Sequence, residues 1–346
     1  MTVGIAEAVR RAGRSLRVVL ALDADAEVAA LYKKNFPTAN VRQAEVDKTF
    51  DGAIGTELTP SERLVKLEVG DPPDLLVGGP PCQGHSDLNN HTRRSDPKNA
   101  LYLRMARAAE VLKPRIVIIE NVTGAQWDKD RVVQLTTHAL TAAGYKVAGR
   151  VLDLRAVGVP QRRRRFVLLA SLIENVEPEK MLDAVETGWG EHPYRTVRWA
   201  IDDLMKIAAD GVYNTASEPT DVNTERIAYL FDNKVHNLPN DERPECHQDG
   251  QHSYVSVYGR LWWDQPAQTI TTGFGCMGQG RYVHPEKRRT ITPHEAARLQ
   301  SFPDWFDFGE EAKRGVLAKS IGNAVPPLLT VELAGRLIPS LPRDSR

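Results

Sequence analysis

One cysteine lies in the most constrained turn of this sequence. Cys82 belongs to the run Gly78-Gly79-Pro80-Pro81-Cys82-Gln83, which follows the short apolar segment 74–77. A cysteine kept for packing usually lies inside an apolar pattern, whereas glycines and prolines fix a tight turn that another molecule can approach. We therefore interpret Cys82 as a nucleophile, with a buried packing thiol as the alternative.

Two carboxylates also follow apolar runs. Asp23 comes after the run 17–22, and Glu120 comes after four consecutive β-branched residues that end at Ile119. Such runs predict strands, and parallel α/β sheets bind their ligands beyond the carboxyl ends of the strands. We therefore expect Asp23, Cys82 and Glu120 to meet in one crevice, with helix capping as the alternative for Asp23.

Glu120 has the environment of a proton donor. A carboxyl group at the rim of a dry core is partly desolvated, which favours its protonated form. Such a group donates a proton to a bound substrate, and the neighbouring Asn121 is placed to orient it.

Four consecutive arginines precede another apolar strand. Residues 162–165 are all arginine, and side chains alternate between the two faces of an extended chain. Arg163 and Arg165 are thus predicted on one face and Arg162 and Arg164 on the other. Two guanidinium groups on one face suit a carbonyl oxygen or phosphates.

The elements around these residues alternate between strand and helix. The runs 17–22, 74–77 and 115–119 predict strands, while 24–34 and 99–112 predict helices. This alternation indicates an α/β fold with a parallel sheet that is covered on both faces.

Composition excludes several classes of protein. The chain has 346 residues, of which 41% are hydrophobic and 26% are charged, so it is neither fibrous nor disordered. Its apolar runs are too short for a membrane span and no export segment opens it, which predicts a cytoplasmic protein. Cys82, Cys246 and Cys276 are too widely spaced for a disulfide framework or a metal site.

The net charge is balanced. The 45 basic residues match the 45 acidic ones, so a nucleic-acid partner must be bound by local patches. Candidate patches are Arg93-Arg94, the run 162–165 and the cluster 287–289, each of which is otherwise a solvated face.

Taken together, these residues resemble the DNA cytosine-5 methyltransferases. The matching motifs, in chain order, are Pro81-Cys82-Gln83, Glu120-Asn121-Val122, Gln161 to Arg165, Thr292 to Pro303 and Gly322 to Pro327. The motifs span nearly the whole chain, and their combination is specific. The resemblance implies a Rossmann-like S-adenosylmethionine-dependent methyltransferase sheet with a smaller target-recognition domain.

The resemblance also implies a mechanism. The thiolate of Cys82 would add to C6 of a cytosine that is rotated out of the duplex, while Glu120 protonates or hydrogen-bonds N3. Arg163 and Arg165 would bind the cytosine O2 as charge builds. The other residues implied to meet the DNA substrate are Gln83, Ser86, Arg93, Arg94 and Gln161.

S-adenosylmethionine is the implied cofactor. Asp23 would accept hydrogen bonds from its ribose, and Glu45 would meet the adenine amine, with Asp47 as the alternative. Asn323 would contact the methionine end, although a structural turn before Pro326 is the other interpretation.

The resemblance divides the chain into three parts. Residues 1–170 would form the catalytic and cofactor-binding domain, 171–290 the target-recognition region, and 291–346 a segment that returns to the catalytic domain. Thr292, Pro293 and Glu295 form a capping-box pattern that starts a structural helix over 293–300. The run 269–275 predicts a strand that leads into a glycine loop.

The beginning of the chain departs from the family pattern. Residues 3–13 form a helix and its end, so the strand and Phe-x-Gly-x-Gly turn that precede this helix in the family are not in this sequence. Without that central strand, we expect an unpaired sheet edge and fewer backbone contacts to the cofactor.

Two alternatives to DNA methylation stay open from the sequence. One is methylation of cytosine in tRNA, against which the long unmatched segment after Ser171 argues. The other is a catalytically silent DNA-binding relative, against which the intact Cys82, Glu120 and Arg165 argue. Double-stranded DNA is the expected partner, together with a companion restriction endonuclease, and the expected state is a monomer.

Overall fold

A computed structural model describes residues 1–80, 100–128, 130–248, 257–309 and 312–342. The helices are α1 Thr2–Arg11, α2 Ala26–Asn35, α3 Val46–Thr49, α4 Pro60–Val69, α5 Ala100–Leu112, α6 Val132–Ala142, α7 Pro178–Thr187, α8 Val197–Ile201, α9 Gly211–Asn214, α10 Asp221–Asp232, α11 Pro293–Leu299, α12 Arg314–Gly322 and α13 Pro327–Leu337. The strands are β1 Ala21–Asp23, β2 Val41–Gln43, β3 Leu75–Gly78, β4 Ile116–Asn121, β5 Lys146–Asp153, β6 Gln161–Arg162, β7 Arg164–Ser171 and β8 Ala267–Gln268.

The chain divides into two compact units. The first unit comprises 1–157, 164–191 and 327–346, and the second comprises 158–163 and 192–326. None of the helices in the described segments is both long and apolar enough to cross a membrane.

The first unit contains two sheets. Strands β1 and β2 pair in parallel, and a second sheet has the order β3-β4-β7-β5. In the second sheet β3 and β4 are parallel, while β7 is antiparallel to both β4 and β5. The parallel pairing predicted for the strands at 74–77 and 115–119 is confirmed. The sheet as a whole is mixed, because the short connection from β5 to β7 contains no crossover helix and reverses the chain.

Strands β1 and β3 are edge strands of their sheets. Within the described residues, β1 pairs only with β2 and β3 pairs only with β4. Both strands contribute to one apolar cluster, since Leu22 and Leu76 pack against buried residues of α4 and α5 such as Val65 and Val111. Full burial of an apolar side chain such as Val65 or Val111 stabilises the fold by about 1.5–3 kcal/mol.

Helix α1 packs closely on α13. A Cβ atom on Gly4 would lie 2.1 Å from the carbonyl oxygen of Pro327 and 2.3 Å from Thr330 Oγ1. Only glycine permits this approach, and Val3, Ile5 and other buried residues of α1 surround the contact. The predicted N-terminal helix is therefore confirmed.

The strand predicted over 17–22 is shorter in the structure. Strand β1 covers Ala21–Asp23, and its carboxyl end still coincides with Asp23. Helix α2 starts at Ala26 after Asp25, whose side chain accepts hydrogen bonds from Glu27 N and Val28 N. The helix cap is therefore Asp25 and not Asp23.

The second unit has little sheet. Strands β6 and β8 pair in parallel, with Gln161 opposite Ala267. An apolar cluster around Ile227, Leu230 and Val283 forms a core beside α10. The helix predicted from the capping box is confirmed, since Thr292 and Glu295 bond reciprocally at the start of α11.

Of the strand and glycine loop predicted over 269–275, the strand was wrong, whereas a turn is observed at the glycines. The structure has the two-residue strand β8 before it and a turn from Thr272 onwards. The backbone of Ile270 bonds to side chains, since its N–H donates to Gln161 Oε1 (3.0 Å) and its carbonyl accepts from Arg163 Nη1 (2.9 Å). These groups are therefore unavailable to a strand ladder.

Candidate functional site

Glu120 lies at the carboxyl end of β4. It is 7% exposed and pairs in register with Val167 of β7. Its Oε1 lies 2.9 Å from Nε of Arg165, which enters the site from the start of β7. Glu120 Oε1 makes no aligned hydrogen bond to any described residue, so the contact is an ion pair that leaves hydrogen-bonding capacity on the carboxylate.

Arg165 changes the electrostatics predicted from burial alone. Glu120 is buried, and the guanidinium of Arg165 lies against its carboxylate, so burial is not the only influence on this group. The ion pair holds the carboxyl group of Glu120 at the strand end and leaves its oxygens able to accept further hydrogen bonds. The sequence predicted both residues as functional, but it did not predict that they contact each other.

Two buried polar groups lie near this pair. The hydroxyl of Tyr102 is buried without a hydrogen-bond partner among the described residues, and burial followed by the charge of Glu120 raises the pKa of Tyr102. Asn121 accepts a hydrogen bond from Val122 N (2.8 Å), while its Nδ2 has no partner in the described segments. Asn121 therefore does not orient Glu120 through a described hydrogen bond, contrary to the sequence prediction.

The nucleophile segment lies outside the described residues. Cys82, Gln83, Ser86, Arg93 and Arg94 all fall within it, so their placement stays a prediction. The described chain reaches Pro80, and the last residue of β3, Gly78, lies opposite Ile119 in parallel register. The chain that leads to Cys82 thus leaves the sheet beside the strand end that carries Glu120.

Two predicted cofactor residues lie at neighbouring strand ends. Asp23 ends β1 opposite Gln43 of β2, and its carbonyl accepts a hydrogen bond from Ala44 N (3.0 Å). Glu45 follows directly and has an exposed carboxylate whose distance to Lys48 Nζ is 3.9 Å. Asp23 lies at a strand end, as the strand-end argument predicted, and Glu45, which the family resemblance implied, lies two residues after the end of the neighbouring strand.

Asn323 follows the last residue of α12. Its side chain is exposed, while its backbone N–H donates to Lys319 O (3.1 Å). The preceding Gly322 packs against the backbone of Thr272, because a Cβ atom at position 322 would lie 2.3 Å from Thr272 N. The glycine therefore has a packing role in this turn, whereas the exposed amide of Asn323 is available to a ligand.

Gln161 and Arg163 are fixed inside the second unit. Gln161 is fully buried, and its Nε2 donates to Leu299 O (2.9 Å) and to Gln300 Oε1 (2.8 Å). Arg163 is 2% exposed and donates to the carbonyls of Ile270 (2.9 Å) and Ala324 (3.2 Å). Their roles toward a substrate stay predictions, and these contacts support a positioning role.

The burial of the arginine run alternates as predicted. Arg163 is buried and Arg165 is half-buried, whereas Arg162 and Arg164 are exposed. In the third basic cluster, Arg289 binds Glu295 and Arg288 contacts Asp232, so protein partners already engage these charges.

Known proteins match this chain over nearly its whole length. The sequence model of the family described as C-5 cytosine-specific DNA methylase matches residues 3–339. The Type II methyltransferase M1.BsuMI of Bacillus subtilis is 44% identical over 334 residues, which cover 96% of this chain and 77% of that protein. The Type II methylase M.HgiDII of Herpetosiphon aurantiacus is 31% identical, over 90% of this chain and 86% of that protein.

Solved structures share the fold. The Dnmt2 methyltransferase of S. pombe has a TM-score of 0.63 at 17% identity, over 97% of this chain and 93% of that one. The methyltransferase EhMeth of Entamoeba histolytica has a TM-score of 0.58 at 15% identity, over 98% of this chain and 96% of that one. These similarities confirm the Rossmann-like methyltransferase fold.

Proposed function

Since this chain belongs to the C-5 cytosine-specific DNA methylase family, we propose that Cys82, Glu120 and Arg165 perform its chemistry. The enzyme transfers a methyl group from S-adenosylmethionine to C5 of cytosine in DNA. The observation that carries the residue assignment is the Glu120–Arg165 ion pair at the end of β4, beside the strand that leads to Cys82.

The first step is covalent addition. The thiolate of Cys82 forms a bond to C6 of the target cytosine, and the ring electrons move toward C5 while Glu120 donates a hydrogen bond or proton at N3. C5 thereby becomes nucleophilic and takes the methyl group. A water molecule then takes the proton from C5, Glu120 takes back the proton at N3, and the C6–S bond breaks, which restores the aromatic ring and releases the Cys82 thiolate.

Arg165 positions the acid. Its guanidinium lies 2.9 Å from Glu120 Oε1, and the half-buried location shields the pair from water. A nearby cation stabilises the carboxylate that Glu120 becomes after it gives up a proton. Arg163 acts through the second unit, where its bonds to the carbonyls of Ile270 and Ala324 fix the segment that precedes β7.

The chemistry of the strand-end carboxylates fits the cofactor. S-adenosylmethionine supplies the electrophilic methyl group when it is bound. Asp23 is suited to accept hydrogen bonds from its ribose hydroxyls, and Glu45 is suited to accept one from its adenine amine. Asn323 would bind the methionine end through its exposed amide.

The substrate contacts complete the proposal. Gln83, Ser86, Arg93 and Arg94 would contact the displaced cytosine and nearby phosphates of duplex DNA, with Gln161 supporting the arginine run.

Residues 1–170 would provide catalysis, 171–290 target recognition, and 291–346 a return to the catalytic part. We place the enzyme in the cytoplasm as a monomer, with a restriction endonuclease of the same recognition sequence as its companion.

Methyl transfer to two nucleic acids tests the proposal. The full chain is incubated with radiolabelled S-adenosylmethionine and either duplex DNA or tRNA, with Cys82→Ala in parallel. We expect label on DNA that is lost in the variant. Label on tRNA alone would replace the proposed substrate, and label on DNA that persists in Cys82→Ala would exclude Cys82 as the nucleophile.

A further inference from the structure

A buried tyrosine hydroxyl lies behind the strand end that carries Glu120. Tyr102 on α5 is 1% exposed, and its Oη has no hydrogen-bond partner among the described residues. A buried hydroxyl without a hydrogen bond destabilises a fold, so such groups are uncommon in native proteins. A catalytic role is one of the reasons for which such a group is kept.

The apolar cluster around Tyr102 adjoins both members of the Glu120–Arg165 ion pair. Ile119 directly precedes Glu120 in β4 and belongs to the same buried cluster as Tyr102. Phe166, which directly follows Arg165 in β7, belongs to it as well. Because side chains alternate across a strand, the ion pair extends from the opposite side of these strand ends. The hydroxyl thus approaches the pair from the α5 side and leaves the carboxylate open to substrate.

Helix α5 is anchored at this edge of the sheet. Met105, one turn after Tyr102, packs against the last residue of β3, since a Cβ atom on Gly78 would lie 2.6 Å from Met105 Cε. Gly78 lies opposite Ile119 in the parallel register of β3 and β4. This close packing fixes the Tyr102 ring relative to the strand end.

The phenol of Tyr102 keeps its proton. Burial, and after it the charge of Glu120, raises the pKa of Tyr102. The hydroxyl is therefore neutral near pH 7, and its O–H bond is a dipole that responds to the charge of Glu120. No described residue accepts a hydrogen bond from this hydroxyl, so its O–H can turn toward that charge.

A second tyrosine of the same cluster has a bonded hydroxyl. Tyr145 is also buried, but its hydroxyl donates to Pro114 O (2.7 Å), and burial alone raises its pKa. The O–H of Tyr145 is therefore directed by the fold, whereas that of Tyr102 can be directed by a charge that develops during the reaction.

We propose that Tyr102 is a positioning residue for methyl transfer, whose O–H dipole stabilises the carboxylate that Glu120 becomes when its proton passes to N3 of the cytosine. A dipole that is already in place stabilises this charge without reorganisation of solvent. Arg165 acts on the same carboxylate as a cation at 2.9 Å, and Tyr102 adds a neutral dipole from the α5 side. This inference rests on the proposed function, because it requires Glu120 to act as the acid.

Two matched tyrosine substitutions test this role. Tyr102→Phe removes only the unbonded hydroxyl, whereas Tyr145→Phe removes a bonded hydroxyl from the same cluster. Urea unfolding of each full-length variant measures stability. Single-turnover assays with duplex DNA measure the methyl-transfer rate at saturation and the DNA concentration that gives half of that rate.

We expect Tyr102→Phe to lower the saturating rate about tenfold, less than the roughly 10²–10³-fold loss that follows removal of a direct oxyanion donor. Its half-saturating DNA concentration should stay within about twofold of wild type, and its urea midpoint should not fall, because no hydrogen bond is lost. Tyr145→Phe should instead lower the urea midpoint and keep a rate within about twofold of wild type. A wild-type rate in Tyr102→Phe, or equal losses of rate in the two variants, would overturn the proposal.

A double variant shows whether Tyr102 acts through Glu120. Glu120→Gln removes the carboxylate, so adding Tyr102→Phe to it should change the rate by less than about twofold. A further loss of about tenfold would show that Tyr102 acts independently of Glu120 and would also overturn the proposal. A wild-type rate in Glu120→Gln, or a wild-type enzyme that leaves DNA unmethylated, would defeat the proposed function itself. A slow Glu120→Gln variant beside a wild-type rate in Tyr102→Phe would defeat the role of Tyr102 alone.

Discussion

Two buried glutamates of the first unit, each beside an arginine, differ in how completely they are bonded. Glu62 on α4 is fully buried and accepts from Arg107 Nε (2.8 Å) and Nη2 (2.7 Å), as well as from Thr59 N and Gly52 N (both 3.0 Å). Glu120 has one arginine contact, and its buried Oε1 has no aligned hydrogen bond within the described residues. Glu62 is therefore bonded for stability, whereas Glu120 keeps capacity for a substrate.

The second unit repeats the arrangement of Glu62. Glu295 occupies the same capping-box position on α11 and is bound by both terminal nitrogens of Arg289, at 2.8 Å and 2.7 Å. Burial beside an arginine is thus a recurrent structural device in this protein. What distinguishes Glu120 is its strand-end position and its unfilled bonding capacity.

The largest effect is expected from Glu120→Gln. Loss of the proton donor should reduce kcat for DNA methylation by about 10²–10⁴, the usual range for removal of general acid–base catalysis. The measurement is single-turnover methyl transfer with saturating DNA and cofactor. A kcat within tenfold of wild type would exclude Glu120 as the acid.

Glu62→Gln should instead reduce stability. It breaks the fully buried pair and leaves the Arg107 charge with only the partly exposed Glu110 (3.0 Å), which we expect to lower the free energy of unfolding by about 3 kcal/mol. Urea unfolding measures this loss, with Glu68→Gln on the same helix as the control. Glu68 pairs with Arg42 at the half-exposed surface, so its loss should cost less than about 1 kcal/mol.

If Glu120 serves the substrate and Glu62 serves stability, Glu120→Gln should mainly lower activity and Glu62→Gln should mainly lower the free energy of unfolding. Glu120→Gln should destabilise less than Glu62→Gln because it loses one ion-pair contact, whereas Glu62→Gln disturbs four hydrogen bonds. Equal losses of stability would show that Glu120 is also a structural carboxylate.

The loss of folding stability at acidic pH should depend on Glu62. Its hydrogen bonds to Arg107 are the main cause that lowers its pKa from 4.5 to about 2. A depressed carboxyl pKa contributes stability that is present above pH 4.5 and is lost as the pH falls toward 2. The stability difference between wild type and Glu62→Gln should therefore shrink between pH 6 and pH 3, as measured by urea unfolding at each pH. A constant difference would contradict the assignment.

Local patterns were enough to predict the elements that carry the site. Apolar runs located the strand ends at Asp23 and Glu120, and the Thr-Pro-x-Glu pattern located the start of α11. These features depend on neighbours within a few residues. The capping alternative for Asp23 was wrong, since Asp25 caps α2, while Asp23 accepts a hydrogen bond from Asp25 N (2.9 Å).

Long-range contacts were beyond the sequence patterns. The Glu120–Arg165 pair depends on the antiparallel insertion of β7 beside β4, which no spacing rule indicates. The partners that bury Gln161 and Arg163 are more than one hundred residues away in the chain, so a run of polar residues gave no sign of burial. A cleft in the second unit likewise joins segments around 236 and 262 that are separate in sequence.

The smallest expected effect concerns the capping box, which begins α4 in the first unit and α11 in the second. Thr292→Ala removes the hydroxyl that accepts from Glu295 N (3.1 Å), and we expect a loss of about 1 kcal/mol in the free energy of unfolding. Thr59→Ala removes the matching acceptor for Glu62 N (3.2 Å) and should cost a similar amount. Urea unfolding of both variants, with methylation measured in parallel, should show lowered stability and retained kcat. A much larger loss in one of them would mean that its capping hydroxyl also holds the buried glutamate–arginine pair in place, so that the two helix starts are not equivalent.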